Sequence, residues 1–303
     1  MKYLVIGAGG TGGCIGAYMA EAGKDVTLIA RGAHLKAMQE NGLYMETTHK
    51  GNYLIQPIKA TDMEHYDEKP DVIFVCVKGY SLEETVPFIE RVAKADTVVI
   101  PVLNIYGTGG KLQEKLPNLL VTDGCIYIVG LIKEPGTLIQ SGNLFRVVFG
   151  VREKEEYRPI LETVKKDLEE SGIEAVLSDN IRKDAMRKFS YISPAAACGQ
   201  YYGVGSDAIQ KPGEIRDTFI ALIEEVMEVA KAMGITYEEN MVETNLKIMD
   251  SLAPGVKTSM QRDVEAGKQS EIDGLVFEVA RLGEQYGVQV PTYQKITDKL
   301  KEN

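Results

Sequence analysis

Residues 1–31 constrain this chain more than any other stretch. Residues 3–6 (YLVI) form a short apolar run of the kind a buried parallel strand carries. Gly7, Gly9 and Gly12 follow at G-x-G-x-x-G spacing, inside the run G-A-G-G-T-G that also holds Gly10 and Thr11. Residues 11–22 then carry a helical pattern that Gly23 stops. Residues 26–29 read as a second buried strand, which ends at Ala30-Arg31.

Each glycine has a physical task in a strand–turn–helix of this type. The first permits a tight turn, the second lets backbone approach a pyrophosphate, and the third lets helix pack close to strand. The helix N-terminus adds unpaired N–H groups and the positive end of its dipole. A dinucleotide is therefore the expected ligand, against the plainer alternative of a tight turn with no ligand. The end of the second strand selects among dinucleotides. NAD sites place a carboxylate roughly 20 residues past the glycines, on the ribose 2′-OH. No carboxylate lies between Val26 and Lys36, and Arg31 stands at the strand end. A guanidinium there meets a 2′-phosphate with a charge-assisted contact, so NADP(H) is expected over NAD(H).

At 303 residues the chain has length for two domains. Its net charge of −10 argues against nucleic acid as a partner, and no apolar run reaches the length of a membrane span. A strand begins directly after Met1-Lys2, with no signal peptide ahead of it, and the cytoplasm is the expected location. The four cysteines form no C-x-x-C pair, and the three histidines, His34, His49 and His65, are scattered, so no metal site is expected.

Alternating strands and helices continue to about residue 120, which specifies a doubly wound parallel sheet. Residues 43–60 read as a β-excursion. Residues 71–77 form a strong buried strand with Lys78 at its carboxyl end, where open α/β sheets bind ligands. Residues 97–103 form the next, ending at Asn104. Residues 125–131, 137–140 and 145–149 look like further strands, with turns at 135–136 and 141–143. From Ser178 the pattern is almost wholly helical, with helices expected at 237–251 and 270–286, among others. The expected architecture is an α/β Rossmann-type domain over 1–177 and an all-α substrate domain over 178–303. The amphipathic helices of the second domain are compatible with a homodimer interface.

If a nicotinamide is held, reduction of a carbonyl needs a proton donor. No histidine follows His65, which leaves lysine, tyrosine, a carboxylic acid or water. A half-buried lysine of the helical domain suits the task, but composition does not choose one.

Motif order does choose. The chain resembles the ketopantoate reductase family over essentially its full length. G-A-G-G-T-G with Arg31 resembles that family's NADPH site, V-C-V-K its lysine at Lys78, and P-V-L-N its asparagine at Asn104. The run 180–189 resembles the helix that carries the catalytic lysine, here Lys188. The segment 257–263 places the substrate-contacting serine on Ser259, and 270–274 places the active-site glutamate on Glu271. The resemblance implies that Lys188 protonates a ketone oxygen, that Ser259 holds a substrate carboxylate, and that Glu271 holds a substrate hydroxyl or fixes Lys188. It also implies that Asn104 bonds the ketone or the nicotinamide side, with Asn104 and Glu271 shared by cofactor and substrate. Taken alone, each has a plainer account: Lys188 as a solvated lysine, Ser259 and Glu271 as helix-start residues, Asn104 as a turn former.

The sequence also departs from the family pattern. Asparagines are expected four and eight residues after the lysine, and Ile192 and Ala196 stand there. Asn104 is followed by Ile105 where glycine is expected, and Ser193-Pro194 is expected to bend or interrupt the helix near the site. The expected activity is NADPH-dependent reduction of a small 2-oxo acid, with 2-dehydropantoate the first choice. A 2-oxo acid or imine with a more apolar body is the second. A cofactor-binding sensor without chemistry is a third.

Overall fold

Strand β1 (Lys2–Ile6) divides its side chains between two apolar layers, as the two-residue period of a strand requires. Tyr3 and Val5 enter one core, Leu4 and Ile6 the other. The computed structural model describes residues 1–302. They form two compact units, one of Met1–Leu103 with Gly107–Ile181, the other of Asn104–Tyr106 with the chain from Arg182 onward.

In the first unit β1 is followed by α1 (Gly10–Glu21), β2 (Asp25–Ile29), α2 (Gly32–Asn41) and a hairpin of β3 (Leu43–Thr47) and β4 (Gly51–Ile55). Then come β5 (Lys59–Thr61), β6 (Val72–Val75), α3 (Val86–Val92), β7 (Val98–Pro101), α4 (Thr108–Lys115) and β8 (Leu120–Val121). A long pair, β9 (Asp123–Glu134) and β10 (Thr137–Gly150), precedes α5 (Ile160–Glu170) and β11 (Glu174–Leu177). Six strands form a sheet in the order β5-β2-β1-β6-β7-β8, every neighbouring pair parallel. Phe88 and Ile89 of α3 and Leu112 of α4 cover one face. The other face packs with α1, α5 and the second sheet, which runs β11-β10-β3-β4 with β9 paired to β10. The strand order reverses beside β1, between β2 and β6. In doubly wound sheets this switch point at the carboxyl ends of the strands is where ligands sit, and Gly7 follows β1 there.

Residues 141–143, expected as a turn, lie inside β10. The chain absorbs them as a bulge, with a register shift between Ser141 and Arg146 against β9. A bulge keeps the flanking pairing that a turn would end.

The second unit is helical: α6 (Ile181–Tyr202), α7 (Ser206–Ile209), α8 (Glu214–Ala232), α9 (Met241–Asp250), α10 (Ser259–Glu265), α11 (Glu278–Tyr286) and α12 (Pro291–Lys301). Helix α9 starts at Met241 instead of Tyr237. Asn240 caps it, its side chain accepting the N–H groups of Val242 at 3.0 Å and Glu243 at 3.3 Å, which fixes the entry point. The segment expected as one helix over 270–286 opens with a π-helical turn, Asp273–Phe277, before α11. Among the described residues no helix is long and apolar enough to cross a membrane.

Helix α6 is not interrupted at Ser193-Pro194: it runs on through Pro194, which supplies no N–H to the Ser190 carbonyl one turn back. The buried Asn245 of α9 fills the vacancy, its Nδ2 donating to the Ser190 carbonyl at 2.9 Å and to Ser190 Oγ at 3.0 Å. Asn245→Leu is expected to cost about 1–3 kcal/mol of stability, because a buried carbonyl is left without a donor. Urea unfolding with an unchanged slope measures it, and a midpoint equal to wild type contradicts the assignment.

Candidate active site

The two units carry separate sets of the residues singled out by sequence. In the first unit, Gly7 adopts φ +99°, and a Cβ there would lie 3.0 Å from the Cys76 backbone. The N–H groups of Gly7 and Ala8 both donate to the Ile29 carbonyl, at 3.2 and 3.0 Å, which ties the turn to the end of β2. Around Gly9 the opposite holds: beyond its two chain neighbours, no atom lies within 4 Å of the place its Cβ would occupy. At Gly12 a Cβ would come within 2.3 Å of the Gly7 carbonyl oxygen, so only glycine lets α1 approach β1 this closely. The start of α1, with Gly10 and Thr11, has no side-chain cap and no acidic residue in its first turn. Unsatisfied helix N–H groups beside an open glycine fit the phosphates of a dinucleotide.

Arg31 follows the end of β2 as the exposed, extended residue ahead of α2. Lys78 lies just past β6, partly buried, ahead of the short turn Gly79–Ser81. Both therefore stand at carboxyl ends of strands flanking β1.

In the second unit the structure brings Lys188 and Asn104 together. Lys188 Nζ donates to Asn104 Oδ1 at 2.7 Å. The segment Asn104–Tyr106 is seated on this unit by its apolar residues. Tyr106 packs against Phe189, with ring centroids 6.0 Å apart. Ile105 is buried and fills the space beside Gly274, where a Cβ would lie 2.3 Å from Ile105 Cδ1. The Ile105 side chain that departs from the family pattern thus takes up room that Gly274 provides.

Glu271 is 5% exposed and stands just before the π-helical turn, its carbonyl accepting the Leu275 N–H at 2.9 Å. Burial of a carboxylate is costly without donors around it, so its placement is a specific feature of this segment. Ser259 is the first residue of α10, yet it is not the cap. Thr258 caps the helix and exchanges bonds with Gln261, which leaves the Ser259 hydroxyl outside the capping box. Ile192 and Ala196 lie one and two turns after Lys188 on α6. Ala196 is fully buried, and Ile192 packs partly buried against the helical core.

Among the described residues no group of three or more His, Cys, Asp or Glu side chains is placed to hold a metal ion. Burial pushes the thiols of Cys14 and Cys198 up to about 12 and that of Cys76 higher still, away from reactive thiolate.

The sequence matches the ketopantoate reductase PanE/ApbA family over residues 3–154 and the C-terminal part of that family over residues 180–303. The chain belongs to the ketopantoate reductase family. It is therefore an oxidoreductase by family, with the Rossmann-type and helical architecture of that family. An uncharacterized oxidoreductase of Bacillus subtilis, YkpB, is 30% identical over 281 residues, covering 91% of this chain and 89% of its own. The 2-dehydropantoate 2-reductase of Pyrococcus horikoshii is 27% identical over 288 residues, covering 93% of this chain and 91% of its own. The ternary structure of a D-mandelate dehydrogenase with NADH and anilino(oxo)acetate has a similar fold. Its TM-score is 0.86 at 21% identity, covering 98% of this chain and 96% of that one.

Two residues with structural consequences here, Asn245 and His34, carry little signal in the sequence. Asn245 has one indirect signal, the proline four residues after Ser190. His34 has none within its own segment, because its partners, the Ala8 carbonyl and the Gly136 N–H, come from elsewhere in the chain.

Proposed function

We propose that this ketopantoate reductase family member reduces a small 2-oxo acid with NADPH, 2-dehydropantoate being the leading substrate. The observation that carries the proposal is the 2.7 Å bond from Lys188 to Asn104. An ammonium has three donors, and the Asn104 amide oxygen takes one of them, which orients Lys188 for proton transfer to a ketone oxygen. Lys188 is then the proton donor, and Asn104 its positioning partner and a contact to substrate or cofactor. Ser259 serves a substrate carboxylate, and Glu271 a substrate hydroxyl or Lys188 itself. When bound, a reduced nicotinamide supplies the hydride for the keto carbon.

Residues 1–177 form the cofactor domain in this account, and residues 178–303, with Asn104, the substrate domain. Gly7, Gly9, Gly10, Thr11 and Gly12 form the turn and helix start that receive the pyrophosphate. Arg31 meets the 2′-phosphate, and Lys78 adds positive potential. The relative named 2-dehydropantoate 2-reductase, similar over nearly the whole chain, supports the substrate class.

Ile192 and Ala196 favour a second choice of substrate, a 2-oxo acid with a larger apolar body. The likeness of fold to a D-mandelate dehydrogenase complexed with anilino(oxo)acetate agrees with that direction. NADPH oxidation measured across 2-dehydropantoate, branched-chain and aromatic 2-oxo acids decides. The leading reading predicts the highest kcat/KM with 2-dehydropantoate. A maximum with an aromatic or branched acid supports the second. Tight NADPH binding with no oxidation across the panel marks a sensor and rejects both.

A further inference from the structure

His34 lies in the first turn of α2, three residues past Arg31, and both of its ring nitrogens are engaged. Nε2 is 3.0 Å from the carbonyl oxygen of Ala8, inside the glycine-rich turn. Nδ1 is 3.0 Å from the N–H of Gly136, in the turn between β9 and β10. A carbonyl only accepts and a backbone N–H only donates. The two partners therefore fix the neutral ring with its proton on Nε2. Burial favours the same state, lowering the ring's pKa against the opposing pull of the Ala8 carbonyl.

The β9–β10 pair meets the glycine-rich turn at a second point. A Cβ on Gly10 would lie 2.2 Å from the Gly130 carbonyl oxygen, and one on Gly130 would lie 2.4 Å from the Gly10 carbonyl oxygen. The turn is thus backed by Gly130 and pinned by His34, with Gly136 closing the link from the far end of the hairpin.

We propose that His34 is a positioning residue of the dinucleotide site, setting the orientation of the Ala8–Gly9 peptide relative to Arg31. The inference rests on the cofactor assignment made above. The peptide between Ala8 and Gly9 is planar and trans, so its C=O and N–H point in opposite directions. The donor that captures the Ala8 oxygen therefore also aims the Gly9 N–H, at the glycine whose surroundings are open. Because His34 sits on the helix that Arg31 precedes, the same bond holds the pyrophosphate turn and the 2′-phosphate arginine in one frame.

Fluorescence titration of the full chain with NADPH and NADH tests this, using wild type, Arg31→Ala and three variants at His34. The amide nitrogen of His34→Gln reaches the place of Nε2 and keeps the bond to Ala8. His34→Asn reaches only the place of Nδ1, and His34→Leu keeps neither. Loss of the Ala8 bond is expected to weaken NADPH about tenfold in the Asn and Leu variants, with Gln within about threefold of wild type. A purely structural role predicts something else: lower melting temperatures, with NADPH affinity the same in all three. That result overturns the inference while a weakened Arg31→Ala leaves the cofactor assignment standing. An unaffected Arg31→Ala beside the expected His34 series corrects the phosphate assignment and upholds only the hold of His34 on the Ala8–Gly9 peptide. Wild type that binds neither dinucleotide overturns both.

Discussion

On the proposed role of Lys188, Lys188→Met is expected to lower kcat for the preferred 2-oxo acid by about 10²–10⁴-fold, the usual contribution of a positioned general acid, with KM for NADPH near wild type. Methionine keeps the apolar stem of the lysine and removes the ammonium, so loss of packing is small. The effect is expected in kcat because the proton is needed only as negative charge develops on the ketone oxygen. Asn104→Ala should fall in the same direction by a smaller factor, since it loosens Lys188 without removing it. The two substitutions together should cost less than the product of the two alone, because the residues act through one bond. Steady-state kinetics on the four proteins checks the cycle. Multiplicative losses would show that Asn104 works independently of Lys188.

Arg31→Ala is expected to raise the KM and Kd for NADPH by about 10–100-fold, the size of a charge-assisted contact of about 1.5–3 kcal/mol. NADH has no 2′-phosphate, so its binding should change by less than about threefold. The arginine is exposed at the end of β2, which sets two further expectations. Its contribution is screened by salt, so the gap between wild type and variant should narrow as ionic strength rises. Lysine at this position should restore only part of the affinity, because it lacks the planar fork that grips phosphate. Equal weakening of NADPH and NADH would show that Arg31 does not read the phosphate.

Features set by short-range pattern were legible in the sequence. The apolar strands, the glycine turn and the helical second half all follow from periodicity and from residues next to one another. Helix ends were harder, because caps compete. Asn240 rather than Tyr237 marks the start of α9, since its side chain satisfies two N–H groups of the first turn. The π-helical turn after Glu271 was invisible. Its backbone geometry answers to tertiary packing, including the Ser193 hydroxyl that donates to the Leu275 carbonyl at 2.6 Å.

The candidate site was legible only through motif order. Lys188 meets an asparagine 84 positions away, and nothing local to either residue announces the other. His34 is the sharper case, bridging partners 26 and 102 positions distant. A histidine scattered in sequence became the residue that joins three segments around the glycine-rich turn. Ile105 shows the reverse: an apparent departure at a motif position is matched by the bare backbone of Gly274.

The proposed reaction is hydride reduction of a 2-oxo acid at its keto carbon. Incubation with NADPH carrying deuterium at the transferable position, followed by mass spectrometry of the product, tests it most directly. The expected product is a 2-hydroxy acid one mass unit heavier, with the deuterium on the carbon that bore the ketone and its formation strongly slowed by Lys188→Met. Cofactor consumption that leaves the product without deuterium, or labelled product formed as fast by Lys188→Met as by wild type, would contradict it.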